Sequence, residues 1–185
     1  MTHERSSNRL AWLSLGSNIR PEWYLPQAVE LLNDLGKVIA TSPVWESAAV
    51  GRTDQPPFCN AAVLLETLLD VASLCWRTRE IEQALDRVRV PDDKNAPRTI
   101  DIDLSLYVDA QGEDAIGSIA HWTLPAADVL SRPFVAVPLA AISPDKRFPN
   151  DGRTLQEIAT ELSKSLTLRP RLDITLPGPS GPVAC

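Results

Sequence analysis

The spacing of apolar and polar residues changes several times along the chain, and each change predicts an element. Leu10-Ala-Trp-Leu-Ser-Leu-Gly16 is an apolar run closed by Gly16-Ser17-Asn18, the pattern of a buried strand entering a loop. Ala28, Leu31, Leu32 and Leu35 recur at helical spacing, so a helix is predicted over 26–35, with Gly36 at its C-terminal end. Residues 37–47 alternate around Val38, Ala40 and Val44 and predict a second strand. Gly51, Thr53, Asp54, Pro56 and Pro57 then break residues 48–57 into a long loop of the kind that carries function. Asn60 to Leu68 predicts a third strand. Val71, Leu74, Ile81, Leu85 and Val88 define one face of a second helix. After a polar loop over 91–97, Thr99-Ile-Asp-Ile-Asp-Leu-Ser-Leu-Tyr107 alternates strictly, as a strand with two unlike faces does.

Strand, helix, strand, strand, helix, strand is the ferredoxin-like βαββαβ order. It predicts an α+β fold with an antiparallel sheet and both helices on one face. The remainder predicts a short hairpin, a Pro-bounded segment from Leu124 to Pro144, and a helical C-terminal extension over 154–162. The expected organisation is a flexible N-terminus over 1–9, one domain over 10–165, and a tail over 166–185. Its Pro177-Gly-Pro-Ser-Gly-Pro182 stretch predicts disorder.

Composition narrows the function classes. The 185 residues are 44% hydrophobic and 23% charged, which excludes a disordered or fibrous chain. No apolar run approaches the roughly 20 residues of a membrane-spanning helix, and the polar N-terminus lacks a secretory signal, so no membrane partner and a cytoplasmic location are expected. Eighteen basic against 24 acidic residues give a net charge of −6, which argues against nucleic-acid binding. Three cysteines without paired spacing read as reduced thiols, and having only two histidines argues against a His-based zinc site. Oligomeric state, monomer or homodimer, stays open.

The candidate chemistry lies around Arg98-Thr-Ile-Asp101-Ile-Asp103. Residues two apart on a strand share a face, so Asp101 and Asp103 present adjacent carboxylates suited to Mg²⁺. The plainer alternative is a solvated strand face. Arg87, Arg89, Lys94 and Arg98 lie just before, and arginine forks grip phosphate; a charged helix end with Glu82 and Asp86 pairing locally is the plainer reading there. Phe58, Asn60 and Phe134 could sandwich a flat heterocycle and read its edge, or could be core packing.

Together, Leu15-Gly-Ser-Asn18, Ser47 through Asp54-Gln-Pro-Pro-Phe-Cys-Asn60-Ala-Ala-Val63, Pro97-Arg-Thr-Ile-Asp-Ile-Asp103, and Leu124-Pro125 through Arg132-Pro-Phe134 resemble the 6-hydroxymethyl-7,8-dihydropterin pyrophosphokinases. The resemblance runs from about Ala11 to Leu162. It implies transfer of diphosphate from ATP to the pterin hydroxymethyl, with release of AMP, in tetrahydrofolate synthesis. It further implies two Mg²⁺ ions on Asp101 and Asp103. The nucleotide falls to Glu82, Arg89, Lys94, Arg98 and Arg132, with Arg87, Arg98, Asp101 and Asp103 counted as catalytic. The pterin falls to Ser47, Ala49, Val50, Phe58, Asn60 and Phe134. Lys94-Asn95 stands where the family commonly has Arg-Trp, and Ala126 where it commonly has His. The loop over 90–97 is expected to move and close, with Lys94 reaching the triphosphate.

Three other readings stay open at this point. One is a diverged copy in another reduced-pterin pathway, such as a methanopterin's, and one is a non-catalytic pterin- or nucleotide-binding module. The third is a metal-dependent nucleotidyl transferase, against which the acidic charge weighs.

Overall fold

The computed structural model describes residues 8–49, 54–89, 93, 96–120, 122–164 and 166–179. Strand β1 (Arg9–Ser17) lies between β4 (Phe58–Thr67) and β5 (Asp101–Val108), antiparallel to both. Helices α1 (Pro21–Leu32) and α2 (Val71–Ala84) pack on one face of this sheet. Leu25, Ala28, Val29 and Leu32 from α1 and Leu74, Cys75 and Ile81 from α2 meet Leu13, Leu15, Val63, Ile102 and Leu104 there. This is the expected ferredoxin-like α+β core. It forms because each strand's alternation and each helix's stripe present one apolar face to the same layer.

Several boundaries move, each for a local reason. α1 starts at Pro21, five residues before the predicted helix, because Arg20 turns the chain at φ 46 and Pro21 then occupies the first turn. Gly36 serves a different purpose from the one its position predicts. Its φ of 161 is ordinary extended backbone, but a Cβ there would lie 2.1 Å from the Glu66 carbonyl oxygen. The predicted strand over 37–47 is two strands, β2 (Lys37–Thr41) and β3 (Trp45–Ser47), both paired to the same edge of β4. Pro43 has no N–H to give the ladder. Ser42 bridges the gap: its N–H donates to the Ala62 carbonyl at 2.9 Å, and its Oγ accepts from Ala62 N at 2.8 Å. Val88, expected on the apolar face of α2, is 72% exposed, because the helix ends before the left-handed Asp86.

The opposite face of the sheet is covered in part. The segment from Leu124 to Pro144 contains a helix that its sequence did not predict, α3 (Pro133–Ile142), after a 3-10 turn over Ala127–Leu130. With α4 (Leu155–Leu162), predicted correctly and closed by a capping box from Thr154 to Glu157, α3 packs on Trp12, Ala62 and Leu106. Leu106 reaches that side because the β1–β5 register shifts between Trp12 and Leu13, which ends the strict alternation of β5. The short hairpin is β6 (Gly117–Ile119) with β7 (Trp122–Leu124).

The tail expected to be disordered packs in part. β8 (Arg169–Pro170) pairs with β3, and Ile174 and Leu176 are buried in the core shared with α1. Residues 180–185 and 1–7 lie outside the described residues. Among the described residues no helix is long and apolar enough to cross a membrane.

Candidate active site

α3 covers the apolar end of its sheet face and leaves the polar end open. There the alternation of β1, β4 and β5 presents Ser14 and Gly16, Asn60 and Phe58, and Asp101 and Asp103 to a cleft of about 390 Å³. Ser47 and Ala48 close one side, and Asp128, Arg132, Phe134 and Val135, leading into the first turn of α3, close the other. The volume lies in the range of small-molecule sites.

Part of the cleft lining is aromatic. Phe58 and Phe134 both line it, each with a guanidinium over its ring: Arg98 lies 5.6 Å from the Phe58 centroid and Arg132 5.6 Å from that of Phe134. Asn60, 6% exposed, donates through Nδ2 to Ser47 Oγ at 3.0 Å, which holds its amide plane. Its Oδ1 lies beside Gly16, where a Cβ would meet it at 3.6 Å. Ala49 is described but does not line the cleft; Ala48 does. Val50 lies outside the described residues.

The rest of the lining is charged, and Arg98 and Arg132 join it to the rings. Arg98 Nη1 lies 2.5 Å from Asp101 Oδ2, and Arg87 Nη2 lies 3.6 Å from Asp101 Oδ1. Arg87 is only 9% exposed, burial pulls its pKa down, and its Nε and Nη1 find no hydrogen-bond partner among the described residues. Asp103 forms no ion pair among the described residues, and Arg98 acts on it only through its more distant charge. Its carboxylate opens to solvent, yet the walls crowd it, and that desolvation followed by the charges of Asp101, Glu82 and Asp128 pushes its pKa up to about 7. Two neighbouring carboxylates, one of them without an ion-pair partner among the described residues, fit a hard divalent cation that takes its other ligands from water and phosphate. No third carboxylate, histidine or cysteine completes a ligand cluster among the described residues.

The remaining predicted residues divide. Arg132 reaches the cleft but rests on Asp128, Nε to Oδ1 at 3.0 Å. Glu82 is turned away from the main cleft and 3% exposed. Its Oε1 accepts from Ile102 N at 2.9 Å and its Oε2 pairs with Arg89 Nη2 at 2.6 Å. It ties α2 to the strand that carries the aspartates, and burial raises its pKa. Glu82, Arg87 and Arg89 line a second hollow on the α2 side, with Trp76, Arg79 and Gln83. Asp86, which the plainer reading paired on its own helix end, accepts from the Tyr24 hydroxyl at 2.9 Å. Lys94 lies outside the described residues, as does most of its loop.

Sequence reasoning gave no role to Asn18 or Asp128. Asn18 Oδ1 accepts from Arg98 N at 2.7 Å, and its Nδ2 donates to Gln55 Oε1 at 2.9 Å and to the Pro56 carbonyl at 3.2 Å. One buried amide thus joins the loop before Phe58 to the arginine beside Asp101. Its only signal was its place in Gly16-Ser-Asn18. Asp128 had none beyond being a charge in an apolar, Pro-bounded stretch.

The fold and cleft define a ferredoxin-like α+β domain with a ligand-sized site lined by both aromatic and charged side chains. The sequence model of the 7,8-dihydro-6-hydroxymethylpterin-pyrophosphokinase family matches residues 12–144. The chain belongs to this family: it is an enzyme of folate synthesis that transfers pyrophosphate to the hydroxymethyl-dihydropterin.

It is 39% identical over 158 residues to the 2-amino-4-hydroxy-6-hydroxymethyldihydropteridine pyrophosphokinase of Methylorubrum extorquens, covering 84% of this chain and 94% of that one. It is 34% identical over 150 residues to that of Pseudomonas aeruginosa, covering 80% and 88%. A folic acid synthesis protein of Schizosaccharomyces pombe is 32% identical over 163 residues, 86% of this chain, but this chain spans only 21% of that much longer protein. Among solved structures, the Plasmodium falciparum HPPK-DHPS with pterin and p-hydroxybenzoate superposes with a TM-score of 0.64 at 14% identity. It covers 88% of this chain and 43% of that one, a likeness of fold.

Proposed function

We propose that the cleft of this chain binds the hydroxymethyl-dihydropterin at its aromatic side chains and the ATP triphosphate at its charged ones. The pterin hydroxyl oxygen attacks the β-phosphorus, the bond from that phosphorus to the α,β-bridging oxygen breaks, AMP leaves, and the hydroxyl proton passes to solvent. The observation that carries this reading is the meeting of Phe58, Phe134 and Asn60 with Asp101 and Asp103 in one cleft of about 390 Å³.

Phe58 and Phe134 hold the ring, and Ser47 fixes Asn60 so that its amide reads the ring's edge. Asp101 and Asp103 are the protein ligands of two Mg²⁺ ions, which when bound neutralise the triphosphate. Arg98 and Arg132 line the same cleft, between the rings and the carboxylates, and can shift from Asp101 and Asp128 onto phosphate oxygens. Arg87 and Arg89 reach the nucleotide from the α2 side, where the unpartnered Arg87 donors suit an anion. Lys94 is assigned to the triphosphate by its place in the sequence alone. Catalysis here is positioning and charge neutralisation, the usual economy of phosphoryl transfer. We place the reaction in the cytoplasm, where ATP and Mg²⁺ are held and cysteines such as Cys59 and Cys75 stay reduced.

Incubation with ATP, Mg²⁺ and 6-hydroxymethyl-7,8-dihydropterin tests it. AMP and the pterin diphosphate are expected in equal amounts. ADP would show a simple kinase, and pterin binding without turnover would show a binding module.

A further inference from the structure

Residues 166–179 lie beyond the stretch matched by the family, residues 12–144, yet they hold the sheet edge behind the cleft. Trp45 pairs with Pro170 and Glu46 with Arg169, and Arg171 N donates to the Val44 carbonyl at 2.9 Å. Ile174 and Leu176 then enter the core, and the Pro177 carbonyl accepts from Thr41 Oγ1 at 3.2 Å. The segment therefore runs along β3, past the break at Ser42-Pro43, to the end of β2. β3 is three residues long and preceded by a proline break, so β4 alone gives it little rigidity.

Arg171 is the centre of this strap. Its Nε and Nη2 grip Asp173 Oδ1 and Oδ2 at 2.8 and 2.7 Å, while Nη1 reaches Glu46 Oε2 at 3.2 Å and Cys59 Sγ at 3.3 Å. Glu46 and Cys59 are register partners on β3 and β4. Their neighbours Ser47, Phe58 and Asn60 point to the other face, into the cleft. The guanidinium thus clamps from behind the two backbones that present those three residues.

We infer that Arg171 is a positioning residue for the pterin-binding residues of the cleft, acting through Glu46 and Cys59 on the Ser47–Asn60 pair. The inference rests on the reading of those residues as the pterin site. Partly exposed ion pairs add little stability, so the clamp's effect lies in geometry more than in melting temperature. Arg171→Ala should raise the KM for hydroxymethyl-dihydropterin about fivefold, with kcat and the KM for ATP changed by less than about twofold. Arg171→Lys should fall between, because one ammonium cannot hold Asp173 bidentately and reach Glu46 as well. Glu46→Gln removes a single arm and should shift pterin KM in the same direction, which keeps the test valid if Arg171→Ala folds poorly.

An unchanged pterin KM in active variants, or pterin and ATP constants worsening alike, would overturn the inference while leaving the reading of the cleft intact. A wild-type chain that neither releases AMP nor binds the pterin in the presence of a non-hydrolysable ATP analogue and Mg²⁺ would overturn both.

Discussion

Asp101 and Asp103 differ more than their spacing implies. Asp101 is the counter-ion of Arg98 and of the buried Arg87, whereas Asp103 faces mainly other carboxylates. Asp103→Asn should therefore leave the melting temperature of the metal-free chain equal or higher while lowering turnover about a hundredfold or more. Asp101→Asn should lose turnover to a similar degree and also cost about 1–3 kcal/mol of stability in chemical denaturation, because it strips Arg87 of its partner. The two rings are tested separately from the charges. Phe58→Ala and Phe134→Ala should each weaken pterin binding by about 1–3 kcal/mol in calorimetry and leave ATP binding almost unchanged. Equal loss for both ligands would mean that the rings are packing residues. The pairing of Asp101 and Asp103 on one strand face was legible from their period of two. Arg98, three residues before Asp101, was legible beside it, but that Arg87, from beyond the end of α2, pairs with Asp101 and leaves Asp103 aside is not written in any local pattern.

At the scale of elements, the strands and the first two helices follow their periodicities, while α3 does not. Its ten residues, Pro133–Ile142, are nearly all apolar, so no stripe stands out, and Pro138 argues against a helix that tertiary packing nevertheless holds. Pro43 acts the other way: the alternation around it predicts one strand, and the missing N–H splits it in two. Gly36 offers a direct test of how closely the elements meet. Gly36→Ala forces a Cβ against the Glu66 carbonyl, so the β2–β4 junction must move, at a cost of about 1–3 kcal/mol or more in urea unfolding. Pterin and ATP constants should change little, since this junction is far from the cleft along β4.

Across the whole molecule the cleft exists because the second face of the sheet is only half covered. α3 and α4 bury Trp12, Ala62 and Leu106, and beyond them the same face carries Ser14, Gly16, Asn60, Asp101 and Asp103 into open space. The core among the described residues is built of apolar side chains with no cluster of metal-ligating groups, so chelation with EDTA should abolish turnover, with recovery on adding Mg²⁺, while leaving thermal unfolding unchanged. A fall in melting temperature on chelation would instead show a metal holding the fold. By itself the sequence determined the βαββαβ order, the faces of most strands and helices, and the placement of Asp101 and Asp103 on one strand face. Each of these is written in residues two to four apart, through the pleat of a strand or the turn of a helix. Only the tertiary structure decided that α3 roofs half a sheet face and that Glu82 binds Ile102. It also decided that Asn18 joins two loops and that the chain beyond α4 returns to clamp β3. Those contacts join residues from 20 to more than 100 positions apart. Packing and hydrogen-bond satisfaction select such partners, and neither leaves a periodic trace in the chain.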